Sequence, residues 1–112
     1  MFKSERRSQR SIFLGPSLEL WLSSVATRNE LAKMVLADSQ GLLVAASDTA
    51  NDAEALAAKA PLYIQREDET TIDRFHVDGE PVYLSMVGAG EKCADAISEA
   101  RAGIHRIFSQ RA

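Results

Sequence analysis

The sequence predicts one layered α+β domain: an antiparallel sheet of four to five strands with helices on both faces, in the order α-β-β-α-β-β-α. Three observations carry this. Two pairs of short apolar runs are each joined by a tight-turn signal, Asp38-Ser39-Gln40-Gly41 and Asp78-Gly79. Segments with apolar residues at three- and four-residue steps precede, separate and follow those pairs. The chain has 112 residues, the size of a single domain that can bury a core without staples, and 46% of them are hydrophobic.

The first helix is expected to open at Pro16-Ser17. Leu18, Trp21, Leu22 and Val25 recur at helical spacing, and Trp21 reads as a core anchor because it lies on that stripe. Arg28 and Asn29 suit its end, a cation favouring the helix C-terminus and Asn tolerating a left-handed exit. Residues 1–15 are expected to form a basic, flexible N-terminal arm, and residues 16–112 the domain itself.

Leu31–Ala37 and Leu42–Ser47 read as the first two strands. Asp at the start of their connection can accept from the backbone two residues on, and Gly41 supplies positive φ at the exit. "LLVAA" is apolar at consecutive positions, which implies cover on both faces. Asn51 and Glu54 have capping-box spacing for a second helix, and Asp48, Asp52 and Glu54 are charges that suit its N-terminus. Ala53, Leu56, Ala57, Ala60 and Ile64 form one stripe, with Pro61 expected to end or kink the helix. Alanines on a stripe allow close approach to whatever packs there.

Thr71–Val77 and Glu80–Val87 read as a hairpin. Val82, Leu84 and Met86 share one face of the later strand, Tyr83, Ser85 and Val87 the other, and Pro81 suits a strand start or an edge. The last helix carries Cys93, Ile97, Ala100, Ile104, Ile107 and Phe108 on one stripe, with Gly103 read as a close helix–sheet contact.

Composition bounds the function. The net charge is −3, and residues 1–10 hold four basic side chains (Lys3, Arg6, Arg7, Arg10) against Glu5, so they carry +3 and the remainder −6. A basic arm on an acidic body could meet nucleic acid, anionic lipid or an acidic partner, or simply be solvated. No aromatic residue is interleaved with its arginines, which disfavours single-stranded nucleic acid. No secretion signal or membrane-spanning run is read, and the single cysteine suits a reducing cytoplasm.

No catalytic constellation emerges. The Asp38 turn lacks the spaced ligands of a calcium loop, and Asp48 and Asp52 suit a helix start better than a shared magnesium ion. Gly88-Ala89-Gly90 lacks the third glycine of a dinucleotide fingerprint and the lysine of a nucleotide loop. His76 and His105 do not by themselves make a metal site, and Cys93 sits on an apolar stripe that favours an inert thiol. "GPSLE" lacks the closing glycine of a hydrolase elbow. No enzymatic activity, cofactor or metal is expected.

The pattern as a whole resembles the Roadblock/dynein light chain domains, relatives of longin and profilin-like folds. "MVLADSQGLLVAAS" matches the first hairpin and "NDAEALAAKAPLYI" the helix behind it. "DRFHVDGEPVYLSMVG" matches the second meander and "AISEARAGIHRIF" the closing helix. The resemblance implies a non-catalytic interaction module that forms homodimers or heterodimers. In such dimers the central helix and the neighbouring strand of each subunit pair. It further implies a regulator or scaffold of a Ras-like small GTPase, or of a polarity, motility or transport-motor complex. Carried onto this sequence, the dimer interface would comprise Ala53, Leu56, Ala57, Ala60 and Ile64 with Ile72, Arg74 and His76. The family has three strands between its middle and last helices where two are read here, so "RSIFLG" (Arg10–Gly15) is a candidate for the fifth. A small-ligand sensor of the GAF or PAS type is the alternative; it needs a pocket lined by larger side chains than this alanine-rich helix provides.

Overall fold

The computed structural model describes residues 2–47, 52–62 and 70–110. The elements follow the expected order: α1 (Phe2–Arg28), β1 (Lys33–Asp38), β2 (Leu43–Ala46), α2 (Asp52–Lys59), β3 (Thr70–Val77), β4 (Glu80–Val87) and α3 (Gly90–Gln110). A short 3-10 turn, Ala60–Leu62, continues α2. Pro61 sits inside that turn, and its missing N–H explains why the α-helical ladder ends at Lys59. All pairings are antiparallel and the strand order is β2-β1-β4-β3.

Period-two alternation sorts the sheet into two cores. Met34, Leu36, Phe75, Val77, Val82, Leu84 and Met86 pack under α1 and α3 with Leu18, Leu22, Val25, Cys93, Ala100, Ile104 and Phe108. Their neighbours Val35, Ala37, Ala46 and Tyr83 pack under α2 with Ala53, Ala57 and Ala60. Helices therefore cover both faces, as expected. Each fully buried Leu, Ile or Met of the larger core contributes about 1.5–3 kcal/mol of transfer free energy.

One irregularity explains the mixed pattern of β2. Leu36 pairs with Ala45 but Ala37 pairs with Leu43, so Val44 is an extra residue in the ladder. Such a bulge puts two successive side chains on one side. Val44 and Ala45 both reach the α1/α3 core, while Leu43 and Ala46 reach the α2 core. The β1 ladder on β4 stops at Val82, one residue short of Pro81, so the missing N–H of that proline falls beyond its end.

Four expectations are corrected. The first helix does not open at Pro16: α1 starts at Phe2, and the residues read as an arm have helical backbone. Proline is tolerated in a first turn, which made Pro16 look like a start, yet here it lies inside the helix. Arg10–Gly15 therefore supplies no fifth strand, and the sheet has four strands among the described residues. Leu31 precedes β1 instead of belonging to it. The left-handed exit of α1 is taken by Glu30 (φ 60°), not Asn29. Glu30 donates its N–H to Thr27 O at 3.2 Å and Leu31 donates to Ala26 O at 2.8 Å, the two bonds of a Schellman ending.

Candidate interaction surface

Asp38, buried at the end of β1, has a structural duty. Its Oδ1 accepts the N–H groups of Gln40 at 2.8 Å and Leu42 at 3.0 Å, and its carbonyl accepts from Gly41 at 3.0 Å. Gly41 adopts φ +82°, and a Cβ there would lie 3.1 Å from Ala58 Cα and 3.2 Å from Ala58 O. The turn thus presses against the backbone of α2, where only glycine satisfies both demands. Asp48 and Asn51 lie outside the described residues. No group of three or more His, Cys, Asp or Glu side chains gathers among the described residues.

The second hairpin turns on Asp78 (φ 55°) and Gly79 (φ 81°), with Val77 paired to Glu80. Two consecutive positive φ values are those of a type I′ turn, the geometry that Asp-Gly favours. It delivers β3 to one end of the sheet, where, among the described residues, its eight residues pair with β4 alone. Phe75 and Val77 face the larger core. Alternation puts Ile72, Arg74 and His76 on the α2 side, where Ile72 is half-buried and the other two are exposed.

That placement divides the residues expected at a dimer interface. Ala53, Ala57 and Ala60 are buried at 1%, 0% and 0% exposure against the chain's own Val35, Ala37, Ala46 and Tyr83. The alanine stripe thus brings α2 close to its own sheet. Leu56 and Ile72 flank this small core and are partly buried. Ile64 lies outside the described residues. Only the family resemblance points to Ile72, Arg74 and His76, while the stripe's small side chains signal close packing without naming what packs.

On the other face α1 and α3 meet around Trp21. The indole donates to Ala100 O at 3.2 Å, and a Cβ on Gly103 would overlap its ring. Gly103 therefore marks a helix–helix contact, not the helix–sheet contact expected. Arg28 and Arg106 stand 5.4 and 5.3 Å from the Trp21 ring centroid. Arg28 also pairs with Glu99 and bonds Ser24. Asn29 Nδ2 donates to Glu99 Oε1 at 3.1 Å and to Val25 O at 2.9 Å. Those bonds, from Asn29 first and then Arg28, hold the Glu99 carboxyl below its ordinary pKa. The hydrogen bond and charge of Lys92 likewise lower Glu30, and Glu30 in turn raises Lys92.

Arg101 links α3 to β3, its Nε donating to Asp73 Oδ2 at 2.9 Å, while its guanidinium stands 5.0 Å from the Phe75 ring centroid. His105 is exposed and its ring lies 5.7 Å from that of Phe75. Cys93 is buried, its thiol 3.7 Å from Gly88 O.

Myxococcus xanthus MglB, a Roadblock/longin-fold protein, matches this architecture with a TM-score of 0.64 over 85% of this chain and 90% of that one. The chain has a Roadblock-like fold. Sequence identity over the match is 11%, so what the two share is the arrangement of elements. No protein-family model and no curated protein matches the chain. In the Roadblock-like frame, the α2 side of the sheet is the face that the described residues leave half-covered. α2 packs on β1, β2 and β4, and Arg74 and His76 at the β3 end remain exposed.

Proposed function

We propose that the protein is a non-catalytic dimerising module that regulates or scaffolds a Ras-like small GTPase, or a polarity or motility complex, in the cytoplasm. The observation that carries this reading is the half-covered sheet face. Neighbouring strands lie about 4.8 Å apart and a helix with its side chains is about 10 Å across. Among the described residues, one helix over β1, β2 and part of β4 thus leaves room for one more above β3. The central helix of a second copy, or of a related domain in a heterodimer, has the right size for that space.

Leu56, Ile72, Arg74 and His76 are the residues a partner would meet first, with the outward residues Glu54, Ala55, Ala58 and Lys59 of α2 beside them. Ala53, Ala57 and Ala60 support the interface from beneath by fixing the height of α2. Residues 16–112 are proposed as the assembling unit, and residues 1–15 as an appendage to it. No helix among the described residues is long and apolar enough to cross a membrane. The alanine, valine and tyrosine packing under α2 favours interaction over small-ligand sensing.

The reading is tested by titrating the purified protein against a Ras-like GTPase of its own cell and following nucleotide hydrolysis and exchange. A change in either rate that disappears with Arg74→Glu supports it. Unchanged rates and no complex at high micromolar concentration would remove the GTPase from the proposal.

A further inference from the structure

We draw no further inference here: the strongest candidate, the surface patch between α1 and α3 where the guanidinium groups of Arg28 and Arg106 stand over the half-buried ring of Trp21, carries nothing because nothing in the structure shows what covers it.

Discussion

Trp21 and Gly103 share one space: the indole of α1 occupies the volume where any side chain on Gly103 of α3 would stand. The two helices approach closely because α3 lacks a Cβ at that turn. The Trp21 N–H fixes the register by bonding Ala100 O. A glycine that weakens α3 by about 1 kcal/mol relative to alanine is thereby offset by packing.

Gly103→Ala is accordingly expected to destabilise the fold by about 1–2 kcal/mol, since overpacking outweighs the gain in helix propensity. Urea unfolding followed by Trp21 fluorescence measures this directly. A stability equal to or above the parent would mean that the helices separate freely.

Asp38 and Gly41 should behave as a turn pair. Asp38→Ala leaves two backbone N–H groups without their acceptor and is expected to cost about 1–3 kcal/mol. Gly41→Ala should cost at least about 1 kcal/mol, because alanine must adopt φ +82° and crowd Ala58. Thermal denaturation of each variant checks both values.

The Asn29–Arg28–Glu99 contact gives an acid-side pH dependence. The folded pKa of Glu99 is lowered below its ordinary 4.5, so its contribution is present in full above that value. It is lost as pH falls through the lower folded value, because protonation breaks the contact. Glu99→Gln should remove this dependence and cost under about 1 kcal/mol at pH 7, as partly exposed pairs do. Comparing the two proteins in urea between pH 3 and pH 7 checks the sign: their stabilities should converge at the acid end.

Much of this architecture was legible in the sequence because local chemistry and tertiary need agree. Asp78-Gly79 names its own turn type, and the alternation in Val82–Val87 names both cores before either is seen. The first hairpin follows from Asp38 and Gly41 in the same way. Legibility ended where one residue type serves two purposes. Pro16 suits a helix start and costs a helix interior one hydrogen bond, so the start at Phe2, fourteen residues earlier, was hidden. Gly103 announced a close approach but not its partner. The alanine stripe announced close packing too, and only the fold shows that Ala57 is buried in one cluster with Val35 and Tyr83 of the same chain.

That last distinction changes what a charge at each position should do. Ala57→Glu would bury a carboxylate with no partner in the core under α2, so it should unfold the domain instead of merely separating subunits. Arg74→Glu and His76→Glu alter exposed positions on β3 and should leave the circular dichroism spectrum and melting temperature of the parent intact. Comparing the melting curves of the three variants separates the two cases.

Sedimentation velocity of the parent and Arg74→Glu proteins, from low to high micromolar concentration, tests the dimerising reading most directly. The expected result is a concentration-dependent dimer for the parent and a folded species shifted towards monomer for the variant. A parent protein that stays monomeric across that range, or a variant that dimerises as strongly, would contradict the assignment of the half-covered sheet face to a second subunit.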